Sequence, residues 1–387
     1  MSQPSPYTPG EVAHSIVGRA AQLSYFDERI QVITQLRRFV ARVRVDHASR
    51  GLGKTTLLRQ AERRMRAAGM RTVWVTADPE ESLVASVLGK LASTVPPGSS
   101  RWDALKASVD SASLSLGIPS IVEASVTMSP RRTAPTAGAA ESFKQAIVAA
   151  TDAIEADGGT GLAVLVDEIQ AADASGLRAI AYAWQELASE RPSTPAGLFA
   201  VGLPNTSEVI GRAVTFSERF DYRPLLGLAD EEVELALAGP ASSAGVRWTT
   251  DALQLAVRES EGYPHKVQLL GDEAWKAAGY PPAGSVITES MVTAALSGVD
   301  EQMAELFRAR WRSASPAERE MLLAIARLGG TRVKREEIAD ALGKSTRSIS
   351  SARDRLMQKG IVEASEFGFL SFTAPGFREY ILRIEEN

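Results

Sequence analysis

Val45–Gln60 reads VDHASRGLGKTTLLRQ, and the fold of the whole chain turns on how this stretch is understood. It has the form of a strand end, a glycine-bearing turn and the first turns of a helix. The phosphate-cradling loop is written G-x-x-x-x-G-K-S/T. Counting back from Gly53, Lys54 and Thr55, its first glycine falls on position 48, which is Ala48. The stretch is either a nucleotide loop with one altered glycine or a plain glycine turn carrying a surface lysine. In the first case the backbone N–H groups at the helix start hold an anion, and the glycines let that backbone approach it. Lys54 then reaches the β- and γ-phosphates, and the Thr55 hydroxyl sits on Mg²⁺.

The surrounding composition narrows the field. With 387 residues the chain is long enough for about two or three domains. Its 44% hydrophobic and 23% charged content is that of an ordinary globular protein. The net charge is −4, so nucleic acid would have to be held by a local patch. There is no cysteine, which removes disulfides, thiolate metal sites and thiol catalysis. His14, His47 and His265 are far apart, which argues against a zinc site. The start, MSQPSPYTPGEVAHS, is polar and proline-rich and does not read as a signal peptide. No run approaches the ~18 apolar residues of a membrane span, so a cytoplasmic protein without a membrane partner is expected. No internal repeat is evident.

Along the chain, residues 1–15 read as a flexible arm, and Leu23, Phe26, Ile30, Ile33 and Leu36 give a helical face. A strand is expected over 39–45, a helix from Lys54 to a stop at Gly69, and a second strand over 71–78. A helix near 80–95 follows. Residues 112–128 alternate apolar and polar around Gly117-Ile118-Pro119, as in a hairpin or loose insert, and 129–142 resemble a linker. A helix near 141–157 leads to strands at 161–167, 196–205 and 219–228. Strands alternating with helices argue for a parallel sheet with helices on both faces.

The second strand-end of interest is LAVLVDEIQ. Asp167 is placed to hold Mg²⁺ through water, and Glu168 to polarise an attacking water. The alternative is that both acids only cap the next helix. The loop lies about 110 residues upstream, in the order a nucleotide hydrolase requires, which favours the functional reading. AVGLPN ends the next strand with Asn205, a residue able to meet the γ-phosphate or the attacking water, or simply a turn asparagine.

Together these residues resemble an additional-strand P-loop ATPase, and more narrowly the origin-recognition-like ATP-binding proteins of the ATPases associated with diverse activities. The likeness runs from IVGRAAQL to the C-terminus. In it SRGLGKTTLL (Ser49, Arg50, Gly51, Leu52, Gly53, Lys54, Thr55, Thr56) resembles the Walker A loop and LVDEIQ the Walker B strand. IVGR, with Val17, Gly18 and Arg19, resembles the adenine-pocket segment. VGLPN resembles sensor 1. SERFDYRPL resembles the arginine-finger segment, with Arg219 in the matching position to complete a neighbouring subunit's site. EGYPHKVQLLGDEAW resembles the lid motif, with Pro264 near the base. The resemblance implies ATP and Mg²⁺ as ligands and binding to DNA, with a homo-oligomer or protein partner in view. Two positions depart from it. Ala48 replaces a glycine, which would strain the turn if φ there were positive. GYPHKV lacks the usual sensor 2 arginine and leaves His265 or Lys266 in its place.

The last part of the chain reads separately. REEIADALG and STRSISSARDRLMQKG give two helices, the second with Ser345 as N-cap and Gly360 as stop. IVEASEFGFLSFTAP gives two strands around Gly368, completing a winged helix-turn-helix pattern. Residues 301–387 hold 15 basic and 13 acidic side chains, a slight positive excess in an acidic protein. Arg347, Arg353 and Lys359 are the candidates for phosphate contacts, left outward by an Ile349–Leu356 apolar stripe. Docking of protein rather than DNA is the alternative use of such a module.

The expected organisation is an α/β P-loop core over 16–228 with an insert near 110–140, a helical lid over 229–300 and a winged helix over 301–387. The expected function is an ATP-dependent switch with slow hydrolysis, coupled to DNA. A nucleotide-gated signalling protein of the STAND type, with no DNA role, is the competing expectation.

Overall fold

The computed structural model describes residues 2–11, 16–94, 103, 106–107, 109–110, 138–364 and 368–386. The hairpin or insert expected over 112–128 lies outside the described residues, as does the linker up to 137.

Five strands, β1 (Arg44–His47), β2 (Arg71–Thr76), β3 (Leu162–Asp167), β4 (Ala196–Gly202) and β5 (Asp221–Pro224), form a parallel sheet in the order β2-β3-β4-β1-β5. The side chains of β3 and β4 alternate between two apolar layers, which is why both strands read as unbroken apolar runs. Leu162, Val164, Val166, Leu198 and Ala200 face helices α3 (Leu83–Leu91), α4 (Ala139–Ala156) and α5 (Ala174–Glu190). Ala163, Leu165, Phe199 and Val201 face α1 (Ala20–Thr34) and α2 (Lys54–Ala67). Full burial of one such side chain as large as Phe199 is worth about 1.5–3 kcal/mol. The topology places β4 between the strand of the glycine turn and the strand ending in Asp167, as in P-loop cores with an additional strand.

The first strand is not where the apolar pattern put it. Phe39–Val43 are outside the sheet, and β1 runs on through Asp46 and His47. A buried pair within β1 lets the strand carry charged residues. The Arg44 guanidinium donates two hydrogen bonds of 2.7 Å to the Asp46 carboxylate and stacks 4.0 Å from the Tyr25 ring centroid. Each charge makes the other tolerable inside the sheet.

Helices α6 (Thr206–Ala213), α7 (Asp230–Ser243), α8 (Thr250–Ser260) and α9 (Pro264–Ala277) lead to α10 (Glu289–Ser313). Two short strands in the lid, β6 (Arg247–Trp248) and β7 (Val286–Ile287), pair in parallel. Helix α10 is continuous for 25 residues and about 37 Å, so no break separates lid from tail at residue 300. The tail has α11 (Pro316–Leu328), α12 (Arg335–Ala341), α13 (Ser350–Gln358) and α14 (Phe377–Glu386). A three-stranded antiparallel sheet joins β8 (Val333–Lys334), β10 (Phe369–Phe372) and β9 (Val362–Glu363) in the order β8-β10-β9. Helix α13 is shorter than expected. Residues 345–349 form a turn in which the Ser348 N–H bonds to the Ser345 hydroxyl at 3.2 Å, so Ser345 caps that turn and not the helix. No helix among the described residues is long and apolar enough to cross a membrane.

Residues 2–11 are not a free arm. The Tyr7 ring enters the lid core, edge-on to Trp275 at 6.2 Å. It fits because Gly271 lacks a Cβ, which would come within 2.4 Å of the ring. The Tyr7 hydroxyl donates to Leu237 O at 2.5 Å and accepts from Trp248 Nε1 at 3.1 Å. Trp275 Nε1 donates to Gln3 O at 3.0 Å. Tyr7→Phe leaves a buried carbonyl and an indole N–H unpaired, and should cost about 1–3 kcal/mol in urea unfolding. An unchanged midpoint would mean that water replaces the hydroxyl.

Candidate functional site

The glycine turn joins β1 to α2 at the carboxyl edge of the sheet. Within it only Gly51 and Gly53 have left-handed backbones, at φ +88° and +83°. Ala48 does not. It continues the sheet, its N–H bonding Gly202 O at 3.0 Å, and its methyl is buried in the α1–α2 layer. The strain anticipated for a methyl at this position is therefore absent. Gly53 occupies the N-cap of α2, so no side chain satisfies the first amides of that helix. Those amides and the positive end of the helix dipole form an anion site.

Lys54 is buried, and its ammonium donates to Ser49 O at 3.2 Å. Burial lowers its pKa, Glu168 and Asp167 oppose that shift, and Arg50 adds to it. The Thr55 hydroxyl donates to Asp167 at 2.9 Å, linking the two strand-ends that the sequence pairs. Burial raises the Asp167 pKa. The Thr55 hydrogen bond counters this and the Glu168 charge adds to it. A divalent cation held between Thr55 and Asp167 would favour the ionised carboxylate. Glu168 itself has φ +53°, a left-handed backbone that an ordinary residue adopts at a cost of order 1 kcal/mol. It lines the same cavity as Lys54 and Thr55.

That cavity has a volume of about 650 Å³. Its floor is Arg50–Thr56, and its far wall is Pro264, His265 and Gln268 at the start of α9. Ile16, Val17 and Arg19 form one side. Arg19 is buried and donates to Leu52 O at 3.2 Å and Leu226 O at 2.8 Å, tying the loop to the lid connection. Burial lowers its pKa, against the attraction of Glu232 and Asp46. Gly18 stands where a Cβ would come within 2.6 Å of Glu232. Of the two sensor 2 substitutes, His265 lines the cavity, whereas Lys266 turns to Glu261 at 3.5 Å.

Three further residues are placed less directly. Asn205 starts α6 without capping it, and its Oδ1 is buried with no hydrogen-bond partner. Arg219 is exposed and does not line the cavity. Asp221, two positions on, pairs with Arg223 at 2.9 Å. Ser49 is buried within the loop and does not line the cavity. In the tail, Arg347 is exposed, but Arg353 and Lys359 do not point freely outward. Arg353 bonds Asp354 at 2.9 Å and faces Glu208 of α6 at 3.9 Å. Lys359 donates to Glu318 at 2.6 Å and Ser313 O at 2.7 Å. Buried Glu318 outweighs the helix stripe as a determinant of side-chain direction.

Sequence reasoning missed several contributors. The Gln170 amide donates to the Glu168 carboxylate and accepts from Leu203 N at 2.9 Å, joining the β3 and β4 ends. Gly202 leaves room for this amide, since a Cβ there would stand 2.7 Å from Gln170 Oε1. Tyr263 donates to Arg50 O at 2.8 Å. Pro6, Thr8 and Glu11 of the amino-terminal segment line the cavity.

Residues 304–381 match the model of a family described as Domain of unknown function (DUF8462). No curated protein matches the chain. Among solved structures, the Aeropyrum pernix ORC2 protein in ADPNP-ADP complexes is 16% identical, with 98% of this chain and 97% of that chain covered at a TM-score of 0.58. A Walker-type ATPase of Pyrococcus abyssi is 13% identical, with 98% of both chains covered at a TM-score of 0.56. The chain has the ORC2 fold. That likeness extends over the P-loop core, the lid and the tail, since nearly the whole of each chain is aligned.

Ala48→Gly tests the altered loop position. It deletes a buried methyl and adds backbone freedom, and should lower stability by about 1 kcal/mol. The measurement is the denaturation midpoint. A stabilised variant would show that Ala48 is strained after all.

Proposed function

We propose that this protein is an ATP-binding, Mg²⁺-dependent ATPase with slow turnover, acting as a switch that couples nucleotide state to its C-terminal module. The observation that carries the reading is the Thr55–Asp167 hydrogen bond beside an uncapped helix start with a buried lysine. It brings a hydroxyl, a carboxylate and an ammonium to one cavity edge, the set needed for a metal-bridged polyphosphate. The ORC2 structure of like fold holds ADPNP and ADP, which supports the same nucleotide class here. The 650 Å³ cavity is of a size for such a ligand.

In this reading the α2 amides and Lys54 bind the phosphates, and Thr55 and Asp167 hold the cation, directly and through water. A bound Mg²⁺ would neutralise charge developing between the β- and γ-phosphates. Glu168, held by Gln170, orients and polarises water on the cavity side. Val17 and Arg19 with Pro264 enclose the base. Asn205, whose Oδ1 lacks a protein partner, meets the γ-phosphate or that water. Arg219, exposed at the sheet edge, serves a neighbouring copy.

Lys54→Ala should weaken binding of a fluorescent ATP analogue about ten- to a hundredfold, through loss of charge-assisted hydrogen bonds. Glu168→Gln should bind normally and turn over about 10²–10⁴-fold more slowly. Wild-type turnover by the Glu168→Gln protein would remove Glu168 from its assigned role.

The winged-helix tail is the proposed contact for duplex DNA, and the exposed Arg347 is its best-placed cation. Binding to phosphates predicts a log–log salt slope of roughly −3 to −4, and Arg347→Ala should flatten it by about 1. No duplex binding at low salt would transfer the output to a protein partner. The internal engagement of Arg353 and Lys359 favours that second reading, the STAND-type switch.

A further inference from the structure

The tail reaches the phosphate loop. Glu363, the last residue of β9, accepts a hydrogen bond from the Ser49 hydroxyl. Ser49 is only 2% exposed and Glu363 is partly buried, so the contact is closed to solvent on the loop side. The carbonyl of the same Ser49 accepts from Lys54 Nζ at 3.2 Å. One loop residue thus holds the tail at its side chain and the phosphate-binding lysine at its backbone. The neighbouring loop residues are engaged as well. A Cβ on Gly360 would stand 3.3 Å from both Arg50 Cγ and Leu203 Cδ2, so the tail backbone lies directly against the loop. Leu52 packs against the apolar cluster of the tail. At the outer margin of the contact, Arg353 faces Glu208 of the core at 3.9 Å.

We propose that Glu363 is a charge latch, a carboxylate by which the C-terminal module opposes polyphosphate binding at the loop it holds. The inference rests on the nucleotide reading of the cavity and adds the regulation of that site. Two negative groups then share one short loop, the Glu363 carboxylate behind it and the polyphosphate in front. With Ser49 buried and Glu363 partly buried, solvent screens their repulsion only in part, and it weakens nucleotide binding by about 3–10-fold. Because coupling between two binding events is reciprocal, nucleotide weakens the docking of the tail by the same factor. The charge, not the hydrogen bond, is the operative element. A contact that only fastens the tail would act through the hydrogen bond and through packing at Gly360. Release also separates Arg353 from Glu208 and leaves it paired with Asp354.

The test compares wild type, Glu363→Gln, Glu363→Ala and Lys54→Ala as full chains. Each is titrated with a fluorescent ATP analogue and Mg²⁺, and hydrogen exchange of residues 360–364 is followed with and without ATP. Glu363→Gln keeps an acceptor for Ser49 and removes the charge, so it should bind the analogue about 3–10-fold more tightly. Glu363→Ala should bind at least as tightly as the Gln variant. In wild type, ATP should speed exchange at 360–364, and in the Gln variant this effect should shrink. Wild-type affinity in the Gln variant, with analogue binding still dependent on Lys54, overturns the latch and leaves the nucleotide reading intact. Tightening in the Ala variant alone also overturns it, because the contact then acts as a plain fastening. Absence of binding in wild type and both Glu363 variants overturns the nucleotide reading itself.

Discussion

A helix that starts directly after a left-handed glycine has no side chain to satisfy its first amides. Around Lys54 that deficit is the feature on which the rest of the site depends. The loop leaves a set of donors and a buried ammonium aimed at one cavity, and neighbouring elements hold it in that unsatisfied state. Ala48 is pinned to the sheet, Arg19 and Tyr263 bind the carbonyls of Leu52 and Arg50, and Thr55 is held by Asp167. Each of these contacts comes from a different part of the chain. The loop is therefore stiff without being self-sufficient, as preorganised anion sites require.

The same arrangement makes the lid and tail mechanical neighbours of the site. Helix α10 runs from the lid into the tail without interruption, and the tail cluster includes Tyr263, Leu269 and Leu270 of the lid. Arg310 on α10 is buried beside Tyr263 and bonds Thr373 of the tail at 3.1 Å. Burial lowers its pKa, as it lowers that of His265 nearby. Movement of the tail therefore has a short path to the loop through Tyr263. The amino-terminal segment lines the cavity beside the lid wall, Thr8 N–H bonding Gln268 at 3.1 Å, and is anchored in the lid core by Tyr7. Opening the cavity on that side means moving a segment fixed by a buried hydroxyl and two tryptophans.

Much of the fold was legible because its elements are strongly patterned. The apolar runs 162–167 and 196–202 are central strands buried on both faces, and the stop at Gly69 ends α2 with φ +82°. Where the pattern misled, a polar partner distant in sequence or hidden by burial was responsible. Asp46 made Arg44 acceptable in a central strand. Trp248 and Leu237 gave the Tyr7 hydroxyl a place inside the lid. Glu318, buried at the start of α11, drew in Lys359 and Arg355 from a helix whose own spacing points them outward.

By itself the sequence determined the chemistry available at each strand-end: the glycines, lysine and threonine of the loop, and the Asp167–Glu168 pair. These are local properties, since backbone freedom, helix starts and apolar periodicity depend on residues a few positions apart. Only the tertiary structure decided which of those groups meet. It placed β4 between the two functional strands, tied Gln170 to Leu203 across 33 positions, and pressed Glu363 against Ser49 across 314. Contacts at such separation are set by how sheet, lid and tail pack together, and one sequence carries no spacing rule from which they can be read.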